Sequence, residues 1–126
     1  MIAIDTSSWI AFLQDASGRD ADLVEQALAD RQACIPPVAL TELLSDPKLP
    51  ANVVQHLLAV PRLDVLDGYW ERAGAFRAKV LRARHRARLA DTLIAQSCLD
   101  HDVALVTRDR NFRHFASIGG LRLLIG

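Results

Sequence analysis

Cysteine is scarce in this chain: there are two in 126 residues, Cys34 and Cys98, set far apart and forming no CxxC pair. A disulfide-stapled scaffold and a CxxC redox or metal site are thereby excluded, and both thiols read as small buried hydrophobes in a reducing compartment. The four histidines, His56, His85, His101 and His114, show no ligand spacing such as HxxxH, which argues against zinc. No apolar run is long enough to span a bilayer, and the first ten residues lack the basic start and long apolar stretch of a signal peptide. The expectation is a soluble cytoplasmic protein with no membrane contact. Lysine is nearly missing too. Only Lys48 and Lys79 occur, against thirteen arginines, and arginine is the type that forks onto phosphate.

What the chain does have is apolar material. Hydrophobic residues make up 51%, enough for one core without staples, and the length fits a single domain over residues 1–126. Net charge is zero but unevenly spread. Up to Phe76, five basic and eleven acidic residues give −6; from Arg77 onward, ten and four give +6. The basic side chains concentrate in RAKVLRARHRAR (Arg77 to Arg88) and RDRNFRH (Arg108 to His114). Such blocks suit a nucleic-acid backbone; the plainer alternative is a solvated helix face.

Short apolar runs alternate with helical patterns. Strands are predicted at 2–4, 33–35, 63–66, 103–107 and 121–125. Helices are predicted at 7–14, 20–31, from Pro36-Pro37 through Leu44, and at 51–59, 68–83 and 90–100. This alternation implies an α/β fold, a central parallel sheet flanked by helices on both faces. In such sheets ligands sit beyond the carboxyl ends of the strands, at a switch in strand order.

Two of those strand ends carry an acid. IAI runs into Asp5, and ALVT is followed by Arg108 and Asp109. Each has a modest alternative role, Asp5 as a helix N-cap and Asp109 as a turn residue. Asp91 falls on the apolar side of its helix, with Ile94, Ala95 and Cys98 at i+3, i+4 and i+7; a first-turn acid also suits the helix dipole. Glu42 points away from the Leu40, Leu43 and Leu44 stripe, as a plain solvent-facing glutamate does. Four carboxylates without a histidine cluster suit a hard ion, Mg²⁺ or Mn²⁺, which can activate water and stabilise an in-line displacement at phosphorus.

The order IDTSSWI, TELL, ADTLIA and LVTRDRNF resembles a PIN domain, and more narrowly the VapC-type toxins of bacterial toxin–antitoxin (VapBC) systems. The resemblance covers essentially the whole chain. It implies a PIN-like three-layer α/β/α fold and an Mg²⁺- or Mn²⁺-dependent endoribonuclease acting on an RNA substrate. By position, Asp5, Glu42, Asp91 and Asp109 match the family's catalytic acids, with Asp5, Asp91 and Asp109 as metal ligands and Thr107 as a supporting hydroxyl. Asn111 stands where many relatives carry a further acid. It can coordinate or hydrogen-bond but adds no charge, which disfavours a second tightly held ion.

The implied partners are a VapB-like antitoxin and a second copy of the chain, as a homodimer. Arg82, Arg84, Arg86, Arg88, Arg108 and Arg110 are the expected phosphate contacts. Trp9 and Phe12 on one helix, with Leu23 and Leu28 on the next, are the expected antitoxin contacts. Two rivals stay open. A phosphotransferase with an aspartyl-phosphate intermediate fits Asp5, but Ser7 stands where such enzymes usually carry a second Asp. A PIN-like module that binds RNA without cutting would be expected to lose carboxylates, and all four are present.

Overall fold

Ile2, Ala3 and Ile4 form β1 (Ile2–Ile4) at the middle of the sheet. From there the chain runs through α1 (Thr6–Leu13) and α2 (Arg19–Ala29) to β2 (Ala33–Cys34), which pairs with one side of β1. Helices α3 (Pro37–Leu44), α4 (Ala51–Ala59), α5 (Tyr69–Arg82) and α6 (Leu89–Asp100) follow. Strand β3 (Ala104–Thr107) then pairs with the other side of β1, and after α7 (Arg113–Gly119) the last strand, β4 (Leu123–Ile125), closes that edge. This is a computed structural model describing residues 1–125. Among them the sheet has four strands, all parallel, in the order β2-β1-β3-β4, and helices flank it as a three-layer α/β/α fold.

The central strands are apolar because both faces are covered. Ala3, Ile4, Leu105 and Val106 are fully buried, so these strands need continuous apolar runs rather than alternation. Strand order reverses between β1 and β3, and their carboxyl ends therefore open on the switch-point crevice. Helix α6 buries Ile94, Ala95 and Cys98 as its pattern predicts, and α5 packs along it. Cys34 and Cys98 are both free and buried, and burial pushes both thiols up, Cys34 to about 11.

Two predictions about elements need correction. Residues 63–66 are not a strand. One parallel bridge joins Ile35 to Arg62, and Leu63 N–H reaches Ile35 O at 3.1 Å. Then Val65 and Leu66 turn out to solvent and the chain leaves the sheet edge for the turn at Gly68 (φ 80°) that opens α5. The second is an omission. RNFRHFASIG forms a 3₁₀ turn (Arg110–Phe112) and α7, pinned by Phe112 and Phe115 in the core.

Helix ends show a shared device. Asp15 (φ 57°), Arg31 (φ 55°), Arg84 (φ 65°) and Asp102 (φ 51°) each take the left-handed conformation just past a helix. The next residue's N–H then reaches back to a carbonyl of the last turn: Ala16 to Ala11, Gln32 to Ala27, His85 to Val80 and Val103 to Cys98. This is the Schellman stop, made here without the usual glycine.

Candidate active site

Asp5 leaves β1 and caps α1. Its Oδ2 accepts from the Ser7 backbone N–H (3.4 Å), from Ser7 Oγ (2.6 Å) and from Thr107 Oγ1 (2.9 Å). Only 4% of Asp5 is exposed. Burial raises its carboxyl pKa, and the Ser7 and Thr107 hydrogen bonds pull the other way. Thr107, at the end of β3, also accepts from the Asp109 backbone N–H at 3.0 Å. Asp109 Oδ1 in turn accepts from the Asn111 N–H at 2.9 Å and starts the 3₁₀ turn. The N-cap and turn roles weighed for Asp5 and Asp109 are thus real, and each occupies one oxygen of its carboxylate.

Asp91 sits half-buried in the first turn of α6. Its carboxyl is pushed up to about 6, first by burial, then by the negative charges of Asp5 and Asp109, with Arg88 opposing and Glu42 adding. Glu42 reaches in from the exposed side of α3, where Oε1 accepts from Thr6 Oγ1 at 2.7 Å. All four predicted acids thus act on one crevice, tied to the start of α1 and the end of β3. Among the described residues, no three His, Cys, Asp or Glu side chains stand disposed to hold a metal ion as they are.

Arg82, Arg84, Arg86, Arg88 and Arg110 are exposed, and Arg88 lies near enough to oppose the rise at Asp91. Arg108 differs. Its guanidinium forks onto Asp20, Nε to Oδ2 at 2.8 Å and Nη2 to Oδ1 at 2.9 Å, and Ser8 Oγ donates to the same carboxylate at 2.8 Å. Asp20 is 1% exposed, and Arg108 holds its carboxyl below the usual range. Gly18 (φ 144°) lets the loop close over this pair, since a Cβ there would stand 2.8 Å from Asp20 Oδ1. Asp20 was not singled out from the sequence. It reads there as any first-turn helix acid.

A second feature lies beside the site. Trp9, Phe12, Leu13 and Leu28 line an apolar cavity of about 630 Å³. Its opposite wall is α4 and the residue that ends it, through Val53, Leu57 and Val60, rather than the α2 residue Leu23, which packs half-buried against the core. The periodicity of ANVVQHLLA could have shown that wall. The Trp9 indole N–H is buried without an acceptor.

The family model for the PIN domain matches residues 2–118. The chain belongs to the PIN domain family. Solved structures of similar fold include a toxin–antitoxin complex from Klebsiella pneumoniae (22% identity, TM-score 0.69, covering 98% of this chain and 96% of that one). VapBC2 from Rickettsia felis, bound to a DNA fragment from its promoter, matches at 20% identity and TM-score 0.73, covering 100% and 99%. FitAcB from Neisseria gonorrhoeae matches at 17% and 0.73, covering 98% and 96%. At these identities the likeness is one of fold. No curated protein matches the chain in sequence. In this PIN domain, Asp5, Asp109 and Glu42 all bear on Asp91 at the switch-point crevice. No helix among those residues is long and apolar enough to cross a membrane.

Proposed function

We propose that this PIN domain is an endoribonuclease dependent on Mg²⁺ or Mn²⁺, and that it is the toxin of a toxin–antitoxin pair acting in the cytoplasm. The observation that carries the reading is the meeting of four carboxylates at the switch point, where Asp91 is held up to about 6 partly by the charge of the other three. The donor set fits the ion in kind, since it is all oxygen and hard. Asp5, Asp91 and Asp109 would hold it, with Glu42 assisting. A bound ion supplies Lewis-acid activation of the scissile phosphodiester and a nucleophile at neutral pH. The rest is the chain's own work. Ser7 and Thr107 fix the Asp5 carboxylate. Asp91 would serve as a ligand in its ionised form, beside Asp5 and Asp109. Arg82, Arg84, Arg86, Arg88 and Arg110 neutralise substrate phosphates, while Arg108 braces Asp20 against the loop before α2.

The complexes of similar fold pair a toxin with an antitoxin, and the cavity of Trp9, Phe12, Leu28 and α4 suits the apolar face of a partner helix. An arginine trailing from that helix could pair with the carboxylates and block the site without a change of fold. The test is cleavage of RNA by the purified protein with Mg²⁺, with a chelator, and with Mn²⁺ restored. Cleavage that the chelator stops and Mn²⁺ returns supports the reading. Intact RNA in every divalent ion sinks it.

A further inference from the structure

His85 and His114 stack face to face, their ring centroids 4.0 Å apart and their planes 13° from parallel. Neither residue belongs to the carboxylate site, yet each lies close in sequence to one of its acids. His85 lies in the loop leading into α6, which carries Asp91; His114 opens α7, just beyond Asp109 and Asn111. Both are held from behind by other contacts. His85 is fixed by the Schellman stop at Arg84, and its loop by Arg77 Nε donating to Ala87 O at 2.8 Å. His114 rides on a helix anchored by Phe115, whose ring packs against Phe76 and Phe112.

Chelation is a poor use for this pair. Near-parallel rings aim their nitrogen lone pairs side by side rather than at one point, and no third ligand joins them among the described residues. Stacking is the better use. His114 is half-buried and covers one face of the His85 ring, while His85 itself remains exposed. Arg82, Arg84, Arg86 and Arg88 in its own stretch of chain, and Arg110 and Arg113 in that of His114, are all exposed. A planar platform amid phosphate-neutralising charge is how single-stranded nucleic acid is held, because every base has a face to stack.

We propose that the His85–His114 stack is a nucleobase platform: an unpaired RNA base stacks on the other face of His85 as the strand passes the carboxylates. The inference rests on the ribonuclease reading above and adds a substrate contact to it. The platform needs a flat ring at position 85 and no ring nitrogen.

The test uses the full chain in metal-free buffer, with short single-stranded RNAs carrying 2-aminopurine or an abasic nucleotide at successive positions. Wild type should quench 2-aminopurine at one position. His85→Ala should lift that quenching and weaken binding on the order of tenfold, the typical worth of one stacked base. His85→Phe should restore both. An abasic nucleotide at that position should weaken wild type by the same factor and leave His85→Ala unaffected. Binding by His85→Ala as tight as wild type overturns the platform alone, as does a His85→Phe that binds no better than His85→Ala. A wild-type protein that neither binds nor cuts RNA overturns the ribonuclease reading, and the platform with it.

Discussion

The Thr107 hydroxyl donates to Asp5 at 2.9 Å across the ends of two neighbouring parallel strands. The same oxygen accepts from the Asp109 N–H, so one buried hydroxyl sets two of the acids. Thr107→Val keeps the shape and removes both bonds. Hydrogen bonds to charged groups contribute about 1.5–3 kcal/mol, and a loss of about 2 kcal/mol is the predicted result in urea unfolding. Thr107→Ser should keep most of it. A Thr107→Val protein as stable as wild type would show that the hydroxyl is incidental.

The carboxylates also predict a pH dependence for the metal-free protein. Asp91 is raised in the fold, so the folded state holds its proton more tightly than the unfolded chain does. Stability from this group is greatest below the ordinary carboxylate range of about 4 and falls as pH rises toward about 6. Asp5 acts in the same direction. Asp20 and Asp100, held down by Arg108 and Arg72, do the opposite and lose their contribution as pH falls below about 4. Melting temperature should therefore peak near about pH 4 and decline as pH rises toward about 6. Asp91→Asn should flatten the decline and leave the acid limb unchanged. A decline that survives Asp91→Asn would assign it to another group.

The cavity yields a prediction that separates partner from substrate. Val53 stands half-buried on its α4 wall, away from the carboxylates. Val53→Asp places a charge in the path of an apolar helix and should weaken antitoxin binding by at least about tenfold. RNA cleavage should be unchanged. Calorimetry against the cognate antitoxin reads the first, and a ribonuclease assay the second. Unaltered affinity would move the antitoxin to another face.

Much of this arrangement is legible in the chain because burial makes acids conspicuous. Asp5 and Asp109 stand out at the ends of apolar strands, and Asp91 on an apolar helix face. Asp20 does not, because its partner Arg108 lies 88 residues away and only the closed fold brings them together. The short apolar stretch LDVL reads as a strand by composition, but it lies at the sheet edge, where one bridge exhausts the pairing before Gly68 turns the chain away. Leu44 belongs to an apolar stripe and still ends 39% exposed, since α3 is only two turns long and buries Leu40 and Leu43 instead. The α7 pattern is spread over Phe112, Phe115 and Ile118, too short a run to separate from a loop by periodicity.

The left-handed helix stops are open to direct test at Arg31, which holds φ 55° after α2. A side chain in that conformation costs about 1 kcal/mol relative to glycine. Arg31→Gly should raise the urea midpoint by a corresponding amount, with the slope unchanged. A lowered midpoint would mean that the arginine side chain stabilises the fold by more than its backbone strain costs.

The central claim is that Asp5 and Asp91 work together on a metal-assisted cut of RNA. Asp5→Asn and Asp91→Asn keep side-chain size and remove one charge each. The direct measurement is the Mg²⁺-dependent cleavage rate of each variant, taken beside a thermal melt to show that the fold survives. Both variants are predicted to melt no lower than wild type without metal and to lose activity by about a hundredfold or more. Full metal-dependent cleavage by either would contradict the account.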